Sequence, residues 1–242
     1  TTSPAASISA LANCIGTTLI PPDRHHARDQ DRLIHTVRHH GIDVIFDVGA
    51  NVGQYASKLR RIGFDGPIVS FEPLVSVHRD LEAAAVDDPD WVVAPPMALG
   101  AEDGTITINR SAETDMSSAL EFNAEMAKLL SSSAHVAQET VPQRRLDGLF
   151  AEYVSSDQKP MLKIDTQGFE RQVLDGATGV LDRLALIQLE LSIIEIYEGE
   201  PTWRDMVSHL ESLGFEPVLF IPGYFNKRTS RLLQMDGVFA RP

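Results

Sequence analysis

The chain has 242 residues, of which 21 are Lys or Arg and 34 are Asp or Glu, for a formal net charge of −13 at pH 7. Hydrophobic residues make up 43% and charged residues 23%, an ordinary globular composition that excludes a fibre or a disordered chain. The acidic balance disfavours nucleic-acid and anionic-membrane partners, which need a basic face, and no run approaches the roughly 18 apolar residues of a membrane-crossing helix.

Residues 1–41 read as an N-terminal helical extension, with a helix predicted from Arg28 to His40. The opening Thr1-Thr2-Ser3-Pro4 lacks the basic-then-apolar pattern of a secretory signal. A single cysteine, Cys14, allows no internal disulfide, so a reducing cytoplasm is the expected location and a small buried hydrophobe its expected role. Five of the eight histidines lie here: His25, His26, His35, His39 and His40. No Cys or Glu joins them at ligand spacing, so a solvated helix face is preferred to a metal site.

Residues 42–242 read as one α/β domain. Val44-Ile45-Phe46 is a strand that ends at Asp47-Val48-Gly49, and helical spacing follows through Tyr55, Leu59 and Ile62. Ile68–Phe71 is the next strand, with a helix near Val77–Val86. A third strand region starts at Trp91 and reaches Ala98-Leu99, and Gly104–Ile108 suggests a hairpin strand. Residues 110–137 are rich in Ser, Ala and Glu and read as a lid insertion with a short helix at Glu121–Leu130. Then come a buried strand at Met161–Ile164, a helix at Glu170–Leu181 and a strand at Ala185–Leu189. Pro201 opens a helix through Leu213, and strands near Glu216–Ile221 and Leu232–Ala240 close the chain. The alternation predicts a mostly parallel sheet with helices on both faces and an antiparallel last strand. In such sheets ligands bind beyond the carboxyl ends of the strands, here marked by Asp47, Glu72, Ala98, Asp165 and Glu190.

Asp47-Val48-Gly49-Ala50-Asn51-Val52-Gly53 is a glycine turn from strand into helix, but it does not read G-x-G-x-x-G. An acid before the turn suits a ligand with a cationic end. Nineteen residues after Gly53, Glu72 ends the next strand, where a carboxylate can accept bonds from both ribose hydroxyls. Acid, glycine turn and strand-end acid together point to S-adenosylmethionine. Ala94-Pro95-Pro96-Met97 has a superficial likeness to the (Asp/Asn)-Pro-Pro-aromatic motif of amino-methylating enzymes. Both of its ends are wrong, and it follows the third strand rather than the fourth.

Ile45–Tyr55, Phe71-Glu72-Pro73, Leu162–Glu170, Val173–Ala177 and Leu189-Glu190 together resemble the FkbM family of methyltransferases, from about residue 43 onward. The resemblance implies a class I methyltransferase fold: a Rossmann-like, mostly parallel seven-stranded sheet. It also implies S-adenosylmethionine as donor and a hydroxyl on a sugar, glycolipid or polyketide-type molecule as acceptor. Asp47, Gly49, Ala50, Asn51 and Gly53 would shape the cofactor loop, Glu72 would hold the ribose, and Ala98 and Leu99 would lie where such folds contact adenine.

Methyl transfer to oxygen needs a positioned hydroxyl and a base. Asp165, which also borders the cofactor, and Glu190 are the candidate bases, and His135 could reach the rim from the insertion. The two carboxylates could also hold a divalent metal through waters, a reading not favoured because no third ligand is evident. Glu170 falls in a first helical turn, where the dipole favours a carboxylate. Lys163, Tyr197, Trp203 and Tyr224 are candidate acceptor contacts. Two alternatives stay open: a non-catalytic S-adenosylmethionine-binding module, and a nicotinamide-dependent oxidoreductase. A homodimer is neither required nor excluded.

Overall fold

A computed structural model of the chain describes residues 25–111, 114–129 and 135–242. Cys14 lies outside the described residues, as do all the residues before the first helix.

Seven strands form the central sheet: β1 (Val44–Val48), β2 (Ile68–Phe71), β3 (Trp91–Val93), β7 (Pro160–Ile164), β8 (Leu186–Ser192), β9 (Glu216–Pro222) and β12 (Gln234–Ala240). Their order is β3-β2-β1-β7-β8-β12-β9. β1, β2, β3, β7 and β8 pair in parallel, while β12 runs antiparallel to both neighbours. Every residue of β1 and β7 is buried. Continuous burial, rather than alternation, follows from helices covering both faces.

On one face lie α1 (His25–His39), α2 (Gln54–Arg61) and α3 (Val75–Ala85), whose buried Leu33, Val37, Leu59 and Leu81 share a core with Ile45, Met161 and Leu186. The helix of the expected N-terminal extension packs on this face through Leu33, Ile34 and Val37. The opposite face packs against α5 (Phe150–Tyr153), α6 (Glu170–Asp175) and α7 (Trp203–Ser212), which enclose Phe46, Leu162, Ile187 and Phe239.

Three expectations need correction. The third strand does not continue to Leu99. Ala94-Pro95-Pro96 follows β3, and prolines cannot donate to a ladder. The chain leaves the sheet, and β4 (Ala98–Leu99) instead pairs with β6 (His135–Arg144), which also pairs with β5 (Gly104–Ser111) in a second sheet. The helix that begins at Glu170 stops at Asp175, because Gly176 packs against β4's neighbour: a Cβ there would lie 1.9 Å from Gly100 O. Pro201 does not open α7 but precedes its cap, where Asp205 Oδ2 accepts from Thr202 N at 3.0 Å.

The insertion is largely the end of the β5–β6 ribbon. Its helix, α4, spans only Ala124–Leu129, and a bridge between Phe122 and Tyr197 ties the segment to the loop after β8. The remaining short strands are β10 (Phe225–Asn226) and β11 (Arg231–Leu232).

Candidate active site

A cavity of about 350 Å³ opens over the carboxyl ends of β1, β2 and β7, within the size range of small-ligand sites. Val48, Gly49, Ala50 and Asn51 form one wall, and Glu72 and Leu74 a second. Ala98, Leu99, Ile106 and Ile108 supply an apolar side from the second sheet, closed by Ser117, Ser118 and Ala119 of the insertion. Lys163, Asp165 and Gln167 lie at the end of β7. No residue described in α1 lines the cavity, whereas Asp115, Ser117, Ser118 and Ala119 of the insertion do.

The turn after β1 is compact because Gly49 and Asn51 adopt left-handed backbone, with φ of 73° and 49°. A Cβ on Gly49 would lie 1.8 Å from Asp165 O, so this glycine brings the two strand-end loops into contact. Gly53 does not face the cavity; it lies against the ring of Trp91, 2.6 Å from where a Cβ would sit.

Asp47 does not face the cavity either. It sits inside β1 in register with Lys163, and both are buried between the sheet and α2. Lys163 Nζ lies 2.9 Å from Asp47 Oδ1 and donates to Gly49 O at 3.3 Å. It is also 3.7 Å from Asp165 Oδ2. Burial opposes the lysine's charge, but Asp47 and Asp165 outweigh it and hold its pKa above the usual lysine value. The cation expected to touch an acceptor is therefore an internal tie between three strand-end elements, with one edge on the cavity.

Glu72 Oε2 accepts from Asn51 N and its Oε1 from Leu74 N, each at 3.0 Å. Burial pushes its pKa to about 7 despite these bonds. Glu170 is a second buried clamp: its Oε1 accepts from Thr166 N at 2.8 Å and Gly168 N at 3.3 Å. Burial likewise raises it to about 7. An acid whose folded pKa exceeds its unfolded value of about 4.5 contributes stability below that pH and loses it as pH rises through about 7. Glu170→Gln keeps an acceptor for the two amides but cannot titrate. Denaturant unfolding between pH 4.5 and 7 should show a stability loss that is shallower in this variant, by up to about 1.4 kcal/mol per pH unit. Identical slopes would place the titration elsewhere.

Asp165 opens onto the cavity with 37% of its side chain exposed, and its Oδ1 accepts from Gln167 Nε2 at 2.8 Å. Glu190, the other carboxylate expected there, lies within β8 and does not line the cavity. Its Oε2 accepts from Gln167 Nε2 at 3.0 Å and Gln234 Nε2 at 2.6 Å. Burial, then the charge of Asp165, lifts its carboxyl well above the carboxylate range.

Four more predicted residues lie away from the cavity wall. His135 stacks on Phe122 at 4.7 Å, with Nδ1 3.1 Å from Glu121 Oε2. Tyr197 is fully buried against Phe122, and its hydroxyl donates to Gln167 Oε1 at 2.8 Å. Trp203 packs on the core beneath the Arg204 guanidinium, and Tyr224 is an exposed residue after β9.

The sequence reading missed Tyr55, Lys58, Gln188 and Asp236, which form a polar end of the cavity. Tyr55 OH donates to Gln188 Oε1 at 2.7 Å. Asp236, opposite Glu190 on β12, is raised to about 6 by burial, then by Asp165. A glutamine inside the apolar run Ala185–Leu189 was the one available signal for this group. Among the described residues, no group of three or more His, Cys, Asp or Glu is placed to hold a metal ion. No described helix is long and apolar enough to cross a membrane.

The Methyltransferase FkbM domain matches residues 47–217. The chain belongs to the FkbM methyltransferase family. It is an S-adenosylmethionine-dependent methyltransferase with the class I fold, and the oxidoreductase alternative gives way. A relative, "Methyltransferase 1" of Beauveria bassiana (strain ARSEF 2860), is 26% identical over 187 residues, which cover 71% of each chain. Among solved structures, the methyltransferase domain of bacterial CtHen1-CN aligns at TM-score 0.48 and 10% identity, covering 90% of this chain and 100% of that one. The Methanococcus jannaschii fibrillarin pre-rRNA processing protein aligns at TM-score 0.49 and 11% identity, covering 83% and 66%.

Proposed function

We propose that this FkbM methyltransferase transfers the methyl group of S-adenosylmethionine to a hydroxyl oxygen of a neutral small molecule such as a sugar, glycolipid or polyketide-type product. The observation that carries the reading is Asp165, a part-exposed carboxylate that lines the cavity at the end of β7.

The cavity's chemistry fits the cofactor. Glu72, Asp115, Asp165 and Asp236 line it beside Lys58 and Lys163, and Lys163 is already matched by buried Asp47, so the wall carries an acidic excess that suits a cationic sulfonium. Each oxygen of Glu72 spends one lone pair on a backbone amide and retains another for a ribose hydroxyl. Ala98, Leu99, Ile106 and Ile108 provide an apolar slot for adenine. The bound cofactor supplies an activated methyl group. Asp165 orients the acceptor hydroxyl and takes its proton as the oxygen attacks. Residues 115–119 exclude water as a lid. Glu190, Tyr197 and His135 act from behind this surface rather than at it. The acidic surroundings select against a polyanionic acceptor such as nucleic acid.

Incubation with methyl-labelled S-adenosylmethionine and a panel of glycosides and phenols tests the reading. The expected product carries the label on oxygen, by mass and linkage analysis. Label on nitrogen, or none transferred by protein that binds the cofactor, would refute it; the second outcome would favour the non-catalytic module.

A further inference from the structure

Gln167 lies in the loop between β7 and α6 with φ of 55°, left-handed backbone that residues other than glycine and asparagine seldom adopt. Both N–H donors of its carboxamide are used, and its oxygen accepts one bond. Nε2 donates to Asp165 Oδ1 at 2.8 Å and to Glu190 Oε2 at 3.0 Å, and Oε1 accepts from Tyr197 OH at 2.8 Å. Its backbone carbonyl accepts from Ser118 Oγ, on the cavity wall, at 2.6 Å.

The loop does not need this side chain to hold its shape. Glu170 already binds the amides of Thr166 and Gly168 on either side, and Gly168 packs against Tyr197 and Glu200. What the carboxamide adds is a link between one carboxylate in the cavity and one behind it. The rear carboxylate is firmly anchored, since Gln234 Nε2 also donates to it and the surrounding burial favours its neutral form. Tyr197 is fixed in turn by Phe122 stacked at 5.1 Å. Asp165 and Gln167, both part-buried, face the cavity, while Tyr197 and Gln234 behind them are buried.

We propose that Gln167 is a positioning residue that aims Asp165 into the cavity, with Glu190 and Tyr197 as its anchors. The proposal rests on the reading of Asp165 as the carboxylate facing the transferred methyl group. It makes the spacing between Asp165 and Glu190 a fixed feature of the site, set by one carboxamide rather than by the two strands alone.

The test uses S-adenosylmethionine carrying ¹³C in its S-methyl group, whose bound resonance reports the charge and contacts around that carbon without any acceptor. Gln167→Gly suits the left-handed backbone and removes the carboxamide together with its two methylenes. Tyr197→Phe keeps the packing and removes only the donor to Gln167. Asp165→Asn should displace the bound resonance from its wild-type position. Gln167→Gly should displace it in the same direction and most of the way, and Tyr197→Phe in the same direction by less. The dissociation constants of the two network variants should stay within about threefold of wild type. Wild-type resonances in both network variants, beside a displaced Asp165→Asn, would overturn the proposal while leaving the Asp165 reading intact. No displacement even in Asp165→Asn would remove that reading, and the proposal with it. Should Gln167→Gly fail to fold, Tyr197→Phe against Asp165→Asn decides the matter alone.

Discussion

Replacing Lys163 with methionine should destabilise the protein by about 3–5 kcal/mol, the cost of leaving the partner of a buried ion pair alone. Asp47 is fully buried, and its Oδ2 has no hydrogen-bond partner among the described residues. Its charge is matched by Lys163 Nζ at 2.9 Å. Methionine fills similar volume, so packing loss contributes little. The same change removes the bond from Lys163 to Gly49 O and loosens the turn that walls the cavity. Chemical denaturation at neutral pH measures the effect. The double variant Asp47→Leu/Lys163→Met should recover much of the loss, because two matched apolar groups carry no desolvation penalty. A single variant within about 0.5 kcal/mol of wild type, the usual range for surface changes, would show that the pair is not buried as described.

Asp165→Asn should lower methyl transfer by about 10²–10⁴-fold, the usual contribution of a general base, while cofactor binding persists. Asparagine retains an oxygen that can accept from Gln167, so the loop should keep its shape. Glu190→Gln is the instructive control. Its carboxyl lies off the cavity wall and already favours the neutral form, and glutamine still offers an oxygen to Gln167 and Gln234. Its turnover should fall far less. Labelled methyl transfer at saturating donor measures both. Equal losses would make the carboxylates a joint base, and full activity in Asp165→Asn would place the base elsewhere.

Much of the fold was legible because burial on both faces leaves unbroken apolar runs. Val44–Val48 and Pro160–Ile164 are such runs except for the one charged residue in each, Asp47 and Lys163, and helical spacing between them identifies the layers. The third strand was read too far because its apolar character continues past Ala94-Pro95-Pro96, although the missing proline donors end the pairing at Val93. At the site, the residues on the turns themselves (Gly49, Ala50, Asn51, Glu72 and Asp165) do line the cavity. Asp47 and Glu190 do not reach the cavity wall because both sit inside strands, where period-two alternation and the overlying helix decide what a side chain meets. Tyr197 and Trp203 look like ring-stacking contacts in sequence and turn out to be packing. Gln167 and Asp236 left no local signal: the first acquires its role from three elements distant in the chain, the second from its register opposite Glu190.

The central claim is that the cavity holds S-adenosylmethionine with its sulfonium facing Asp165. A crystal structure with S-adenosylhomocysteine bound tests it most directly. The account predicts ribose hydroxyls on Glu72, adenine among Ala98, Leu99, Ile106 and Ile108, and sulfur directed toward Asp165. A ligand whose sulfur lies away from Asp165, with its ribose off Glu72, would contradict it.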